Sequence, residues 1–330
     1  MEAAIDVVIA GGDGHLGARV RAAVQRRGHD AHVWDPRVGA PATTPDVVVD
    51  ARPASADRGA VEVGAPVVDV SVAPFARPGA SESPAAVSGA GWFGGLGDLL
   101  AALAARTALA PAEVHATYWV PGRRALIVNA TDGERRDLWR LVTGAGQALV
   151  HGERHDERVG EARRLAWFPR PVGPHHAAAI TGAEHRTVPL HVAGVQTVRT
   201  HVALASWMAE VVQGIGGLSR LGTVDARLRQ RAESRTRAAS TTGERWACVV
   251  EVQERNGDVH RAWAYGTDRH GVAAELAAAV AVAGPLAATP QAPAQVVDPA
   301  GLLDELADRS DLRWSTSQSP GRAAPPTGGR

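Results

Sequence analysis

A glycine-rich stretch near the start of the chain has the residue types and spacing of a phosphate-binding loop. The segment GGDGHLG, residues 11–17, contains the pattern GxGxxG and directly follows the apolar run Ile5–Ala10. In such loops the glycines permit a tight turn, a close approach of the backbone to a pyrophosphate, and packing of a helix on a strand. The helix that follows offers N–H groups to the phosphates. A glycine-rich turn without a ligand is the alternative. The predicted dinucleotide contacts in this loop are Gly12, Gly14, His15, Leu16 and Gly17.

An acidic residue at the end of the second predicted strand supports this interpretation. Dinucleotide-binding domains carry an Asp or Glu about 20 residues after the loop, which binds the ribose hydroxyls of NAD. Asp35 occupies that position, directly after Trp34. Arg37 lies two residues later, and its guanidinium is suited to the 2′-phosphate of NADP. The carboxylate favours NAD as the cofactor, and the guanidinium leaves NADP open.

Further candidates follow the later strands, because ligands of a doubly wound sheet bind beyond the carboxyl ends of its strands. The predicted cofactor contacts at these ends are Ala51, Arg52, Pro53 and Ser71. Arg52 is suited to a phosphate or a substrate carboxylate, with a solvated loop arginine as the alternative. Trp92 and Phe93 precede a predicted helix, and we expect them at the substrate, with aromatic packing between domains as the alternative.

The chain contains no lysine, so its 35 Lys and Arg residues are all arginine. This composition, which coding bias readily explains, excludes a Schiff-base lysine, a phosphate-loop lysine and a lysine general base. Histidine titrates near neutral pH and becomes the leading proton donor. We therefore predict His175 or His176 as a catalytic acid, with Tyr118 as a further candidate and Arg170 as a substrate contact. A metal site is not expected, because adjacent histidines on an extended loop diverge.

In the first third of the chain, predicted strands alternate with predicted helices, and these elements must position the candidate residues. Apolar runs predict strands at Ile5–Ala10, Ala31–Trp34, Val47–Val49 and Val67–Val70. Helical spacing of apolar residues predicts helices at Leu16–Arg27, Ala54–Val63 and Gly94–Arg106. Strands that alternate with helices indicate a parallel sheet with right-handed crossovers. We therefore predict an α/β fold whose N-terminal Rossmann domain is a doubly wound parallel sheet over residues 1–111.

The pattern changes after Pro111, where a second, α+β domain is predicted over residues 112–310. Its predicted strands are Glu113–Val120, Ala125–Ala130 and a hairpin, Arg245–Glu254 with Val259–Tyr265, across Asn256-Gly257. Its predicted helices are Glu134–Val150, Val202–Gly214, His270–Ala283 and Ala300–Ala307. Residues 311–330, rich in Ser, Pro and Gly, predict a disordered tail.

Length and composition bound the class of protein. At about 150 residues per domain, 330 residues suggest two domains. The 35 basic and 35 acidic residues balance, which argues against nucleic acid as a partner. Cys248 is the only cysteine, so no internal disulfide forms and a reducing compartment fits best. The first ten residues lack a basic signal-peptide region, and no apolar run is long enough to span a membrane. We expect a cytoplasmic protein.

Several stretches together resemble the saccharopine dehydrogenase-like oxidoreductases. The resemblance begins with GGDGHLG and its acid at Asp35. The stretches DVVVDARP (46–53) and GAPVVDVS (64–71) are similar to strands of that family. GAGWFGGLGDLL (89–100) resembles the family's turn into a helix, although Gly94 replaces the usual proline. APAQVVDPAGLLDEL (292–306) looks like the tail motif of short bacterial members.

The resemblance implies an NAD(P)-dependent oxidoreductase with a Rossmann domain, a second domain, and a C-terminal segment that returns toward the first. Members act at carbon–nitrogen bonds of amino acids or reduce imines and related carbonyl compounds, and several are dimers. We therefore expect hydride transfer to or from an imine or ketone of a small amino-acid-like substrate, in a homodimer. Two alternatives stay open: a dinucleotide-binding sensor or assembly protein without catalysis, and a semialdehyde or hydroxy-acid dehydrogenase.

Overall fold

The structure is a computed structural model, and it describes residues 4–39, 41, 43–52, 64–70, 85–121, 145–203, 245–287 and 289–319. Among the predicted site residues, Pro53 and Ser71 lie outside this part of the chain. The predicted helix Ala54–Val63 and the predicted strand Ala125–Ala130 also lie outside it. Within the described residues, no helix is long and apolar enough to cross a membrane.

The N-terminal domain contains a five-stranded parallel sheet in the order β2-β1-β3-β4-β5. Its strands are β1 (Asp6–Ala10), β2 (Asp30–Trp34), β3 (Val47–Asp50), β4 (Val67–Asp69) and β5 (Ala85–Val87). The central strands β1, β3 and β4 are rich in valine and almost fully buried, as expected of a parallel sheet covered on both faces, whereas the edge strand β2 is partly exposed. The strand order changes direction between β1 and β3. In sheets of this kind, that switch point is where ligands bind.

The structure describes six α-helices, of which the first and the fourth pack on the strands of this sheet. They are α1 (His15–Arg26), α2 (Gly95–Ala105), α3 (Glu184–Thr187), α4 (Arg269–Val282), α5 (Pro293–Val296) and α6 (Pro299–Arg309). Short 3₁₀ helices cover Pro36–Val38 and Val188–Leu190. The helices predicted at the positions of α1, α2, α4 and α6 are confirmed to within a few residues.

The C-terminal helix α4 returns to the N-terminal sheet and packs against α1, β3 and β4. Arg19 of α1 forms an ion pair with Asp268, the residue before α4, at 2.6 Å. Two α-helical turns further along, Arg26 and Arg27 at the end of α1 contact Glu275 of α4. Contacts that advance along both helices in the same direction mean that α4 runs parallel to α1. Both helices therefore begin at the same edge of the sheet.

The second domain contains a mixed sheet of nine strands, which begins with β6 (Pro111–Trp119). The others are β7 (Ala145–Val150), β8 (Glu153–Arg158), β9 (Arg163–Trp167), β10 (Pro174–Ile180), β11 (Thr197–Ala203), β12 (Trp246–Glu254), β13 (Val259–Gly266) and β14 (Arg313–Ser319). The main order is β14-β13-β12-β6-β11-β10-β9, and β7 pairs with β11 and β8. The parallel doubly wound sheet and the second domain confirm the predicted fold class.

The two faces of this second sheet differ in what they pack against. Val114, Ala116 and Tyr118 alternate on one side of β6 and join the main core, against which α2 packs; we call this the inner face. His115 and Thr117 alternate on the other side, the outer face. The sheet curls around this outer face, because the Arg164 guanidinium of β9 reaches the Glu251 carboxylate of β12, four strands away in the sheet order.

Three predictions of secondary structure need correction. Ala145–Val150 form β7 and not the end of a helix, because they pair antiparallel with β8. Val202 and Ala203 end β11 where the sequence predicts the start of the helix Val202–Gly214, whose remaining residues lie outside the described part. Arg313–Ser319 form β14 on the edge of β13, whereas the sequence predicts a disordered tail. The predicted hairpin is confirmed, since β12 and β13 pair antiparallel around Asn256-Gly257.

Candidate functional site

The glycine-rich loop lies at the carboxyl end of β1 and leads directly into α1. Gly14 is the N-cap of α1, and its N–H group donates to the Gly11 carbonyl at 3.0 Å. A Cβ atom at Gly17 would collide with the Gly11 carbonyl oxygen, so only glycine lets the helix pack this closely on the loop. A Cβ atom at Gly14 would lie 3.2 Å from the same oxygen, a tight but adjustable contact. Gly17 therefore shapes the loop, whereas Gly14 keeps its surface open.

The N-terminus of α1 has the features of an anion-binding site. No side chain caps it, and its first turn contains no acidic residue. The unpaired N–H groups of a first helical turn, together with the helix dipole, attract negatively charged groups. The loop and helix therefore fit the pyrophosphate of a dinucleotide, in the place where the sequence predicts it.

Arg52 provides a fixed positive charge beside the loop, at the switch point between β1 and β3. Its guanidinium forms a two-point contact with the carboxylate of Asp50, the last residue of β3, with both distances 3.0 Å. The Arg52 side chain is 11% exposed, which excludes a solvated loop arginine. A Cβ atom at Gly11 would lie 2.9 Å from Arg52 Cγ, so the side chain packs directly against the glycine loop. Ala51, the residue before it, donates its N–H to the Ala10 carbonyl of β1.

Asp35 and Arg37, the two candidates for recognition of the adenosine ribose, bind each other. The Arg37 guanidinium donates to both carboxylate oxygens of Asp35, at 2.7 and 2.9 Å, and the Arg37 N–H donates at 3.0 Å. These hydrogen bonds lower the pKa of Asp35 to about 2. The pair is exposed at the end of β2, so a cofactor ribose meets a joined carboxylate and guanidinium at this position.

Two residues that the sequence analysis did not single out line the same edge of the sheet. Arg269 and His270 begin α4 and are buried, at 5% and 4% exposure. The His270 ring lies edge-on to the ring of His15, the first residue of α1, with 5.2 Å between centroids. The Arg269 guanidinium lies 6.0 Å from the centre of the Trp92 ring. The available signal was Asp268, a typical N-cap residue directly before Arg and His at the start of an alanine-rich helix.

Trp92 and Phe93 lie in the core between the two sheets. Both are 5% exposed, and the Trp92 ring contacts the rings of Phe93, Tyr118 and Trp246 at centroid distances of 4.5, 5.0 and 5.8 Å. These are the edge-on contacts of packed aromatic residues. The structure thus favours the alternative reading of these two residues, aromatic packing between the domains.

Tyr118, a predicted catalytic candidate, belongs to a buried hydrogen-bond network. Its hydroxyl donates to Glu184 Oε1 at 2.6 Å and accepts the N–H groups of Gly94 and Gly97 at the start of α2. Thr200 donates to the other Glu184 oxygen at 2.7 Å. Burial raises the pKa values of both Tyr118 and Glu184 above their usual range. The hydroxyl has no exposure to solvent and joins the inner face of the sheet to α2.

The predicted donors His175 and His176 lie at the start of β10, in the second domain. The His175 ring contacts the rings of Trp119 and Phe168, at centroid distances of 5.6 and 6.2 Å, on the outer face of the sheet. His176 and Arg170 are exposed. The glycine loop lies on the other side, in the domain that packs against the inner face. The structure therefore does not bring these three residues together with the loop.

Comparisons with known proteins identify the type of fold. No protein-family model matches the sequence, and no curated protein matches it. Among solved structures, saccharopine dehydrogenase (L-Glu forming) from Saccharomyces cerevisiae matches 96% of this chain and 100% of its own, with a TM-score of 0.54 and 12% identity. GenD2 from gentamicin A biosynthesis, in complex with NAD, matches 97% and 98%, with a TM-score of 0.34 and 14% identity. The protein therefore has a Rossmann-type fold with a second domain, and it shares this fold with saccharopine dehydrogenase.

Proposed function

We propose that this protein is an NAD(P)-dependent oxidoreductase. The observation that carries the proposal is the glycine loop, which leads into the uncapped N-terminus of α1 beside the buried cation Arg52. The absence of a side chain at Gly14 leaves the backbone accessible, which a pyrophosphate requires, and glycine at position 17 lets α1 pack closely on the loop. The fold shared with saccharopine dehydrogenase supports the same proposal, as does the position of the loop at the switch point of the sheet.

In this proposal each group of the crevice has a role toward the cofactor. The N–H groups at the start of α1 bind the pyrophosphate, with Arg52 and Arg269 as nearby positive charges. Asp35 or Arg37 contacts the adenosine ribose, and which of them dominates sets the preference between NAD and NADP. The nicotinamide supplies or accepts the hydride.

The proposed reaction is reduction of an imine or ketone, or its reverse, on a small amino-acid-like substrate. Reduction adds a hydride to the carbon and a proton to the nitrogen or oxygen. Two histidines lie at the loop, His15 within it and the buried His270 beside it, and we assign proton delivery to His270 in place of His175 and His176. We retain the proposal of a homodimer that acts on a small molecule.

A second candidate function is dinucleotide binding without catalysis. It is favoured by one observation: Tyr118 is sealed in the core, and His175 lies on the outer face of the second sheet. Steady-state assays separate the two functions. A protein that binds NADH or NADPH, yet oxidises neither with cyclic imines, keto acids, semialdehydes or ammonia plus keto acids, supports a sensor or assembly role. Turnover with a semialdehyde or a hydroxy acid, and with none of the other compounds, supports a semialdehyde or hydroxy-acid dehydrogenase.

The cofactor site is tested by the variant Gly14→Val, measured through the fluorescence of NADH and NADPH on binding. We expect loss of binding by about a hundredfold or more, because the new side chain occupies the path of the pyrophosphate. The matched control is Ala18→Val, which adds a β-branched side chain one turn later at an exposed position of the same helix. Melting curves of both variants verify that they fold. Unchanged affinity of folded Gly14→Val for both dinucleotides would refute the site.

A further inference from the structure

Four buried polar atoms lie on the outer face of the second sheet without a hydrogen-bond partner in the described chain. They are His115 Nδ1, Thr117 Oγ1, Arg164 Nη1 and His201 Nδ1. Buried polar side-chain atoms in folded proteins are paired in the large majority of cases. Each one left unpaired destabilises the folded protein. Four such atoms in one place indicate that a polar ligand supplies their hydrogen-bond partners.

These four atoms belong to one contiguous cluster, which we call the outer-face cluster. Thr117 of β6 and His201 of β11 are direct neighbours across the two parallel strands. His115 lies on the same side of β6, and its ring centroid is 5.5 Å from that of His201. Arg164 is on β9, and its guanidinium forms an ion pair with Glu251 of β12. Glu251 is the neighbour of His115 across β12 and β6, so this ion pair places Arg164 at the cluster. Three different strands thus supply the four atoms.

The chemistry of the cluster selects an anion over a metal ion. No group of three metal-ligating side chains converges in the described residues. Two guanidinium groups, those of Arg164 and Arg261, share the single carboxylate of Glu251. The Arg164 guanidinium and the Thr117 hydroxyl supply N–H and O–H donors, and imidazoles become donors at both nitrogens when protonated. Arginine with hydroxyl and imidazole donors is the set that binds carboxylates and phosphates.

We propose that the outer-face cluster binds the oxyanion group of a small molecule, a carboxylate or a phosphate, at a site separate from the dinucleotide crevice. A cavity of about 310 Å³ lies on the same face of the sheet, lined by residues other than the four of the cluster. Arg261 lies in its wall and donates to Glu251 at 2.7 Å, which links the cavity to the cluster. The other lining residues are Trp167, Phe168, Pro169, Trp263 and Ser317. These aromatic walls suit the apolar body of an organic acid.

The two imidazoles couple this binding to protons. Burial lowers the pKa of His115 and of His201, so both rings are neutral without the ligand at pH 7. The titratable and charged groups that face His115 are Glu113, Arg164 and Glu251, and those that face His201 are His115, Arg164 and Arg199. With His115 Nε2 directed at Glu113 at 3.0 Å, its Nδ1 carries no hydrogen in the neutral ring. An anion at Nδ1 therefore favours the protonated ring, and its binding takes up a proton.

The test is isothermal titration calorimetry of the full chain with phosphate and with benzoate at pH 6 and pH 8. Each titration is repeated in two buffers of different ionisation enthalpy, which counts the protons taken up. We expect binding of at least one probe, with proton uptake and an affinity that is higher at pH 6. Thr117→Val and Arg164→Gln should each weaken it by about tenfold, as expected for a hydrogen bond to a charged group. The control His176→Gln, an exposed histidine of the same sheet, should leave it unchanged.

A second measurement keeps the proposal testable if Arg164→Gln does not fold. Thr117→Val keeps the shape of the side chain and removes an unpaired buried hydroxyl, so it should raise the melting temperature in buffer free of phosphate and carboxylates. Addition of phosphate or benzoate should raise the melting temperature of the wild-type protein to that of Thr117→Val, because the ligand binds the folded wild type. The proposal is overturned if neither probe binds, if binding occurs without proton uptake, or if Thr117→Val lowers the melting temperature.

Discussion

At the scale of single residues, the pairing of Asp35 with Arg37 decides how the cofactor is selected. The carboxylate that would bind the ribose hydroxyls of NAD is held by the guanidinium that would bind the 2′-phosphate of NADP. Each residue therefore limits the contact of the other with the cofactor ribose. Because the pKa of Asp35 is lowered to about 2, the carboxylate stays ionised, and this ion pair is lost only as the pH falls toward that value. Between about pH 5 and 9 the Asp35–Arg37 pair should accordingly add no pH dependence to cofactor selectivity, so a change of selectivity near pH 6 would come from the 2′-phosphate of NADP.

Separate removal of the two partners should move selectivity in opposite directions. Asp35→Ala removes the ribose acceptor and releases Arg37, so NADH should bind more weakly while NADPH binding is retained or improved. Arg37→Ala releases Asp35 and should favour NADH. We expect each change in the ratio of dissociation constants to be about three- to tenfold, since the pair is exposed to solvent. Competition titrations with both dinucleotides measure it.

The control for this pair is Asp30→Ala, which removes an exposed carboxylate at the opposite end of the same strand, β2. It should leave the ratio of the two dissociation constants unchanged. An equal loss of NADH and NADPH affinity in Asp35→Ala would mean that Asp35 does not distinguish the two cofactors.

At the scale of elements, the sequence predicted what depends on neighbours along the chain. The strand–loop–helix unit of β1 and α1 is encoded within 21 consecutive residues, from an apolar run through glycines to a periodic helix. The hairpin of β12 and β13 is encoded by its Asn256-Gly257 turn. Both follow from local sequence and were predicted. Contacts between distant segments leave no such local pattern.

The elements that the sequence did not predict depend on such distant partners. β14 is rich in serine and carries one large apolar residue, Trp314, so its strand character comes from pairing with β13. Glu184 meets Tyr118 across 66 residues of chain, and His270 meets His15 across the whole length of the second domain. The catalytic candidates were chosen by residue type, and residue types alone do not tell which face of a sheet a histidine occupies.

The network between β6, α2 and α3 should make stability depend on pH. Burial raises the pKa of Glu184 in the folded protein, so the folded state favours its neutral form. Its contribution is therefore fully present below the unfolded pKa of about 4.5 and is lost as the pH rises through the folded pKa. Glu184→Gln removes this dependence. We expect the difference in unfolding free energy, wild type minus variant, to decrease from pH 4.5 to pH 7 in urea titrations.

Glu305→Gln is the control for that series: Glu305 on α6 is half-buried and pairs with Arg27 and Arg309, so loss of its carboxylate should not give a difference that decreases as the pH rises. A difference between wild type and Glu184→Gln that grows with pH would contradict the raised pKa.

The start of α4 should couple stability to cofactor binding. Asp268 caps α4 through the Gly271 N–H and pairs with Arg19 of α1, and thereby fixes Arg269 and His270 beside the loop. Asp268→Ala should cost about 1 kcal/mol of stability through loss of the cap. It should also weaken NADH binding several-fold. Asp298→Ala, which removes the same type of cap from α6, should lower stability alone. If both variants change the NADH affinity equally, the start of α4 has no specific role at the cofactor site.

At the scale of the whole molecule, the two sheets are joined by an aromatic seam formed by Trp92, Phe93, Tyr118 and Trp246. Trp92 precedes α2, Tyr118 is on β6 and Trp246 is on β12, so the seam connects the N-terminal domain to the inner face of the second sheet. Arg269 at the start of α4 lies over the Trp92 ring and extends this contact toward the crevice. Trp92 is therefore the point at which both sheets and the returning helix meet.

Replacement of Trp92 separates a packing role from a substrate role. Trp92→Ala leaves a large cavity in the seam and should lower the free energy of unfolding by about 3–5 kcal/mol, whereas Trp92→Phe should restore most of it. If Trp92 acts by packing, the KM of Trp92→Phe for substrate should equal that of the wild type, and its kcat should change little. Because both sheets share this seam, urea unfolding of Trp92→Ala should split into two transitions, seen by circular dichroism and by tryptophan fluorescence. A stable Trp92→Ala with a raised KM and one transition would instead place the indole at the substrate and leave the joining of the domains to Tyr118 and Glu184.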